Sequence, residues 1–245
     1  MINSKINSDV LEDKTLQQNI INQSIDVAKK QGFDGLVLDF EIASLSFQSV
    51  IDKISSFYSL YYKAAKERNL QFYITIYGDA IYKLRPYDVK ILSKNADKVL
   101  IMAYDFHKAR GNPGPNFPLY GKDQYGYDMT VMMSDFLKVV PKEKLVVVFG
   151  LFGYDWKVDS KKQGIDIADS FSVMQMEQKY LNNCPTQECK VVQDKESKET
   201  SVQYKDKDNV SHIVWFEDLS SVSEKKKYLQ SKGIFSFAFW AYSYF

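Results

Sequence analysis

Residues 32–41, Gly-Phe-Asp-Gly-Leu-Val-Leu-Asp-Phe-Glu, join a short apolar run to two carboxylates spaced two positions apart. The aliphatic run at 36–38 follows a glycine and predicts a buried β-strand. Because side chains alternate along a strand, Val37, Asp39 and Glu41 are expected on one face of it. Two acids on one face at the end of a buried strand repel each other and lose hydration, which costs free energy. The pair therefore indicates a site that uses acid chemistry.

Strands and helices alternate along most of the chain. Apolar runs predict strands at 35–40, 71–77, 98–105, 144–150 and 235–240, and apolar stripes at helical spacing predict helices at 15–31, 48–68, 86–95, about 127–139 and 221–231. Nearly continuous apolar strands separated by helices are typical of a parallel sheet that helices cover. Polar and aromatic residues gather at the carboxyl ends of these strands, which favours a (β/α)₈ barrel. A doubly wound sheet is the alternative, but no glycine-rich phosphate loop follows any of the strands.

The Lys-, Asp- and Ser-rich segment 155–214 interrupts this alternation. Short β-rich stretches joined by polar turns predict antiparallel strands within it. We expect this segment to be an excursion between one strand and its helix that forms a rim of a cleft. Five strands are predicted where a full barrel has eight, so residues 1–245 are expected to form a single, partial barrel domain with this excursion.

Composition narrows the possible partners. The 245 residues are 45% hydrophobic and carry a net charge of +1, so the chain can bury a sizeable core and has no global field that would attract nucleic acid or an anionic membrane. No apolar run reaches the roughly 20 residues of a membrane span, and residues 1–14 lack the apolar core of a signal peptide. Cys184 and Cys189 are too few for a zinc site; a local disulfide and two free thiols are equally compatible with their spacing.

The stretch at 32–41 resembles the signature of the family 18 glycoside hydrolases, the chitinase family. In that signature an Asp-Gly pair opens the fourth barrel strand and Asp-x-Asp-x-Glu closes it. Asp34 and Gly35 match the opening, Asp39 matches the last aspartate and Glu41 matches the general acid. Val37 stands where the family usually has an aspartate. The resemblance implies that this chain contains strands four to eight of the barrel and lacks strands one to three. The chain is then either a fragment of a longer protein or has a fold that differs from that of the family.

The same resemblance implies catalytic roles for three residues. Glu41 would protonate the glycosidic oxygen, and Asp39 would orient the N-acetyl group of the substrate, whose oxygen attacks the anomeric carbon in place of an enzyme carboxylate. Met102-Ala-Tyr-Asp105 resembles the motif that ends the sixth strand, so that Tyr104 would donate to the acetamide oxygen and Asp105 would bind a sugar hydroxyl.

Aromatic residues at strand ends are expected to bind the sugar. Trp240 matches the tryptophan that ends the eighth strand and forms the floor of the sugar subsite. Tyr77 and Tyr154 are further substrate-binding candidates, and weaker ones are Asp79, Trp156, Trp215, Glu217 and Asp218. The principal assignments have structural alternatives: a solvated strand-end glutamate for Glu41, a cap or loop salt bridge for Asp39, a rim anchor for Tyr104 and a core position for Trp240.

The function implied by the resemblance is retaining hydrolysis of β-1,4-linked N-acetylglucosamine in chitin, chito-oligosaccharides or peptidoglycan. It implies no metal or organic cofactor, a glycan rather than a nucleic acid as partner, and an extracellular or cell-envelope location. A catalytically silent, chitinase-like lectin is the alternative, although Glu41, whose loss usually produces such proteins, is present. An unrelated α/β domain is a third option, and the four matching motifs in the same order argue against it.

Overall fold

A computed structural model describes residues 4–42, 44–184 and 189–242, and the chain divides into two compact units. The first unit comprises residues 1–102 and 134–146, and the second comprises residues 103–133 and 147–245. The helices are α1 (Ser4–Glu12), α2 (Lys14–Gln31), α3 (Gln48–Glu67), α4 (Val89–Lys94), α5 (Lys122–Tyr125), α6 (Met129–Leu137), α7 (Val173–Met176) and α8 (Leu219–Ser231). The strands are β1 (Gly35–Leu38), β2 (Gln71–Tyr77), β3 (Lys98–Ala103), β4 (Leu145–Gly150), β5 (Phe152–Val158), β6 (Asp169–Ser172), β7 (Lys190–Gln193), β8 (Thr200–Lys205), β9 (Ser211–Phe216) and β10 (Phe237–Trp240).

Parallel strands confirm the predicted α/β class. In the first unit β1 pairs with β2 and β2 with β3, with Leu38 opposite Ile74 and Tyr77 opposite Met102. In the second unit β4 and β10 are parallel, with Gly150 opposite Trp240. Helices separate these strands along the chain, in the order of a (β/α)₈ barrel. All five predicted barrel strands are present.

The helix before β1 shows why the sequence folds locally as predicted. The Asp13 carboxylate accepts hydrogen bonds from the N–H groups of Thr15 and Leu16 at 2.8 and 3.0 Å, which satisfies the start of α2. Gly32 ends the helix in the left-handed conformation, with φ of 72°. The apolar stripe of α2 is buried, as the periodicity predicts.

Strand β1 is at its predicted position but differs in burial. The prediction of a buried strand is wrong for the face that carries Val37, because this side chain is 54% exposed. On the opposite face Leu38 and Phe40 are buried, and the Phe40 ring lies 5.2 Å from that of Phe57 on α3. Among the described strands β1 pairs with β2 alone. The face that carries Phe40 packs on α3, and the face that carries Val37 contacts solvent.

The predicted excursion forms a second sheet, which runs from β5 to β9. Its five strands are antiparallel in the order β6-β5-β9-β8-β7. The sheet covers a slightly longer stretch of sequence than the predicted segment 155–214, because β5 begins at Phe152 and β9 ends at Phe216. The helical segment formed by α7 and a π-helical turn at Glu177–Asn182 was not predicted. Cys184 and Cys189, which flank the undescribed residues 185–188, are disulfide-bonded, so the free-thiol alternative is wrong.

None of the helices in the described ranges combines the length and apolar character that a membrane span requires. The expectation of a single domain stays a prediction.

Candidate active site

Glu41 lies three residues after β1 and is held by a tyrosine on the neighbouring strand. The Tyr77 hydroxyl donates a hydrogen bond to Glu41 Oε2 at 2.6 Å. Because β1 and β2 are parallel, their carboxyl ends lie side by side, and this places the two side chains within reach. Burial and the hydrogen bond to Glu41 raise the pKa of Tyr77 well above its ordinary value, so that the phenol stays protonated and acts as a donor. Glu41 itself is half-buried, so its carboxylate is fixed yet reachable.

Asp39, two residues before Glu41, is also held by a hydroxyl group on β2. Thr75 Oγ1, on β2, donates a hydrogen bond to Asp39 Oδ1 at 2.6 Å. The two predicted acids are thus each supported by a neutral donor on β2, with Thr75 and Tyr77 two residues apart on one face of that strand. Neutral donors orient a carboxylate without neutralising its charge.

Arg85 packs against the ring of Tyr77. Its guanidinium carbon lies 4.1 Å from the centre of the Tyr77 ring, a cation–π distance. Arg85 also forms a bidentate ion pair with Asp79, at 2.6 and 3.0 Å, and Lys83 Nζ lies 2.9 Å from the same carboxylate. Burial raises the pKa of Asp79, but the hydrogen bonds from Arg85 and Lys83 outweigh it and hold the pKa below its ordinary value. Asp79, a weaker sugar-binding candidate, is therefore engaged in fixing Arg85.

Two side chains that sequence reasoning missed hold the backbone around Glu41. Tyr87 OH accepts a hydrogen bond from the N–H of Ile42 at 2.9 Å and donates to the carbonyl of Phe40 at 3.0 Å. Asn7 Nδ2 donates to the carbonyl of Glu41 at 2.6 Å. The sequence gives no signal for either contact, because Asn7 lies on the unpredicted helix α1 and Tyr87 is one of 17 tyrosines.

The second unit carries its own group of predicted sugar-binding residues. Tyr154 OH donates to Asp105 Oδ1 at 2.7 Å, so two of the candidates are in direct contact. Asp105 adopts a left-handed backbone conformation, with φ of 58°, directly after Tyr104. The Tyr104 ring packs edge-on against Phe152 at 5.9 Å and is half-buried.

Asn116 fixes the unusual backbone of Asp105. Its side-chain oxygen accepts a hydrogen bond from the Asp105 N–H at 2.7 Å, and its Nδ2 donates to the carbonyl of Gly150 at 3.0 Å. The backbone N–H groups of Asn116 and Phe117 donate in turn to the Glu199 carboxylate, at 2.5 and 2.7 Å. Asn116 was not among the predicted residues, since nothing in its Gly- and Pro-rich loop distinguishes it in the sequence.

Three weaker candidates are corrected by their positions. Trp156 is fully buried, because this face of β5 packs in a hydrophobic cluster with Val158, Ala168 and Ile213. Glu217 is fully buried in an ion triad with Lys225 and Glu199. Asp218 caps α8, with its carboxylate accepting from the Ser221 N–H at 2.8 Å. In all three cases the contacts are structural. The core around Trp156 and the partner Glu199 of the triad come from other elements, which the sequence does not show, whereas the cap at Asp218 is local to the start of α8.

Trp240 is 47% exposed at the end of β10, so the alternative of a core tryptophan is wrong. Its role as the floor of a sugar subsite stays a prediction. In the described part of the chain no cluster of three His, Cys, Asp or Glu side chains has the arrangement of a metal site.

Comparisons with known proteins identify the family to which this chain is similar. The family profile described as "Glycosyl hydrolases family 18" matches residues 3–244. The cortical fragment-lytic enzyme of Bacillus anthracis is 25% identical over 249 residues, which cover 96% of this chain and 52% of that enzyme. The class V chitinase CHIT5 of Lotus japonicus is 25% identical over 266 residues, covering 98% of this chain and 63% of the chitinase.

The structure of a chitinase from Chromobacterium violaceum matches with a TM-score of 0.81 at 21% identity, over 99% of this chain and 71% of that one. This likeness confirms the predicted fold class. The chain spans 52% of the length of that lytic enzyme and 63% of the length of CHIT5, so it covers only part of these relatives.

Proposed function

Because the chain belongs to family 18 of the glycosyl hydrolases, we propose that its protein hydrolyses β-1,4-linked N-acetylglucosamine glycans with retention of configuration. The observation that carries the proposal is the carboxylate of Glu41, half-buried and fixed at 2.6 Å by the hydroxyl of Tyr77. A general acid needs a defined orientation toward the leaving oxygen, and this contact supplies it. The substrate class is chitin, chito-oligosaccharide or peptidoglycan glycan, in line with the chitinases and the cortical fragment-lytic enzyme among its relatives.

In the proposed first step Glu41 gives its proton to the glycosidic oxygen while the bond to the anomeric carbon breaks. With Tyr77 donating to Oε2, the proton to be transferred belongs on Oε1. The acetamide oxygen of the substrate attacks the anomeric carbon and forms an oxazolinium ion, so that no enzyme nucleophile is needed. Asp39, oriented by Thr75, stabilises the acetamide nitrogen as it gains positive charge.

In the second step Glu41, now a carboxylate, takes a proton from a water molecule that opens the ring from the opposite face. Two inversions at the anomeric carbon give net retention, and Glu41 regains its proton. We assign the acetamide oxygen to Tyr104, a sugar hydroxyl to Asp105 with Tyr154, and the floor of the subsite to Trp240. Since glycans of this class lie outside the cytoplasm, we propose an extracellular or cell-envelope location.

A chitinase-like lectin is the second candidate, and Val37 is the observation that favours it. Where family members usually have an aspartate beside Asp39, this chain has an apolar side chain that is 54% exposed. The loss of that carboxylate weakens the support for acid chemistry, although Glu41 and its donor are both in place.

The test is turnover of a fluorogenic chitobioside by the full protein and by Glu41→Gln. Glu67→Gln, at an exposed glutamate that ends α3, is the matched control. We expect Glu41→Gln to lose roughly 10²–10⁴-fold in kcat, the usual contribution of a general acid, and Glu67→Gln to match wild type. Binding of chito-oligosaccharide with no turnover in any variant would support the lectin, and neither binding nor turnover would refute both functions for this substrate class.

A further inference from the structure

We propose that Tyr87 is a positioning residue for the general acid, fixing the backbone on both sides of Glu41 through one hydroxyl group. This proposal rests on the proposed function of Glu41. The hydroxyl accepts from the N–H of Ile42 at 2.9 Å and donates to the carbonyl of Phe40 at 3.0 Å, so it bridges the residues that precede and follow Glu41. Among the described residues, the hydrogen-bond partners of that hydroxyl are these two backbone groups, and neither belongs to the Glu41 side chain or to a candidate sugar-binding residue.

The backbone around Glu41 needs such a partner, because it lies outside the regular elements. Strand β1 ends at Leu38 and helix α3 begins at Gln48, so Phe40 and Ile42 lie beyond the ladder of hydrogen bonds with β2. Both residues are 2% exposed. A buried N–H or carbonyl without a partner is costly, and Tyr87 satisfies one of each.

Tyr87 is itself held rigidly. It is buried, its ring packs at 6.1 Å on that of Tyr77, and the next residue, Asp88, caps α4 by accepting from the N–H of Ile91 at 2.9 Å. Burial raises the pKa of Tyr87 to about 12, so the hydroxyl keeps its proton and can donate and accept at once at neutral pH. The segment 40–42 is therefore anchored to the start of α4.

Two tyrosines thus contribute to the position of the Glu41 carboxylate, together with Asn7, which donates to the Glu41 carbonyl. Tyr77 fixes Oε2 directly, whereas Tyr87 fixes the backbone from which the side chain projects. A general acid displaced by about 1 Å loses on the order of 10²-fold in rate, so a contact that merely sets the backbone position has a catalytic consequence.

The test compares Tyr87→Phe with Tyr58→Phe in the full protein. Tyr58 is a matched control: it is fully buried, its ring packs on Phe40 at 6.4 Å, and its hydroxyl is without a hydrogen-bond partner among the described residues. Both substitutions remove one buried hydroxyl and keep the ring. Only Tyr87→Phe removes the bridge.

Two substrates separate positioning from folding. A chito-oligosaccharide has a sugar leaving group that needs a proton, whereas a dinitrophenyl chitobioside releases an acidic phenol that leaves without one. We expect Tyr87→Phe to lower kcat on the oligosaccharide roughly 10–100-fold with KM unchanged, and on the dinitrophenyl substrate less than about threefold. Equal losses on both substrates, or an oligosaccharide kcat equal to that of Tyr58→Phe, would overturn the proposal.

Amide hydrogen exchange gives a readout that does not depend on activity. The N–H of Ile42 should exchange roughly tenfold faster in Tyr87→Phe, as expected for the loss of one buried hydrogen bond, and at the wild-type rate in Tyr58→Phe. An unchanged rate at Ile42 would overturn the proposal. Glu41→Gln on the chito-oligosaccharide keeps the two claims apart. If Glu41→Gln loses turnover on this substrate while Tyr87→Phe keeps the wild-type kcat, the role of Tyr87 alone is refuted. If Glu41→Gln keeps its turnover on this substrate, the proposed function is refuted.

Discussion

Replacing Lys225 by methionine should strongly destabilise the second unit, because it leaves two buried carboxylates without their cation. Lys225 Nζ lies 2.7 Å from Glu199 Oε1 and 2.5 Å from Glu217 Oε2, and all three side chains are fully buried. Methionine keeps an unbranched apolar stem, one heavy atom shorter than the lysine side chain, and removes its charge and its three donors. The effect therefore measures the loss of the ion triad rather than a cavity.

Removing one partner of a buried ion pair typically costs about 3–5 kcal/mol, since the remaining charge keeps its desolvation penalty. At about 2–4 °C per kcal/mol for a chain of this size, the midpoint of thermal unfolding should fall by roughly 6–20 °C. The position of Asp105 should change as well. Glu199 also accepts hydrogen bonds from the N–H groups of Asn116 and Phe117, and the Asn116 side chain holds the backbone of Asp105.

Urea unfolding followed by tryptophan fluorescence measures this change, since all three tryptophans belong to the second unit. Lys227→Met is the control on the same helix: Lys227 pairs with Glu224 at 2.6 Å, but both side chains are largely exposed. This control should unfold with the wild-type midpoint, because exposed pairs contribute little. A loss below about 1 kcal/mol in Lys225→Met would refute the reasoning that the triad is desolvated and mutually dependent.

The triad also makes stability depend on pH. Burial, together with the nearby Glu199 carboxylate, raises the pKa of Glu217 to about 7 against the attraction of Lys225. A carboxyl whose pKa is higher in the folded state contributes stability at low pH and loses that contribution as the pH rises through the folded value. Between about pH 5 and pH 8 the free energy of unfolding should therefore fall more steeply in wild type than in Glu217→Gln, which mimics the protonated acid. Equal slopes would contradict this assignment.

Two further predictions concern local backbone features. Asp13→Ala should destabilise the first unit by about 1 kcal/mol, measured by circular dichroism, because the cap of α2 is lost; an unchanged midpoint would contradict the cap. Gly114→Ala should cost about 1–3 kcal/mol, because its Cβ would overlap the His107 ring, whereas Gly111→Ala, 3.6 Å from its nearest neighbour, is the tolerated control. Equal stability of the two alanine variants in urea would contradict the overlap.

The strands that could be predicted from the sequence are those whose own residues form a nearly continuous apolar run. The strands β2, β3 and β4 are continuous apolar runs, and their positions differ from the predicted ones by at most two residues. The short strands of the second sheet were recognisable too, because β-rich stretches alternate with polar turns. The exposure of Val37 was not predictable, since it depends on which strands and helices surround β1 rather than on β1 itself.

The candidate site divides in the same way. The motif residues Glu41 and Asp39 were predicted from their spacing, and the donors beside them, Thr75 and Tyr77, follow from the parallel pairing of β1 and β2. Side chains that hydrogen-bond to the main chain of another segment produce no recognisable pattern in the sequence. Tyr87 and Asn116 each bind main-chain groups of residues that are distant in sequence, so their positions emerge only when the chain is folded.

The chain enters and leaves the second sheet at one point. Gly153, near the start of β5, lies opposite Phe216, at the end of β9, and the N–H of Glu217 donates to the carbonyl of Phe152 at 3.2 Å. An insert whose two ends are adjacent can be shortened, extended or exchanged without changing the separation of the elements to which it is joined. The turns within the 62 residues from 154 to 215 can therefore change in length without moving β4 away from α8, whereas Tyr154 and Glu199 in this stretch are tied to Asp105 and Lys225 outside it.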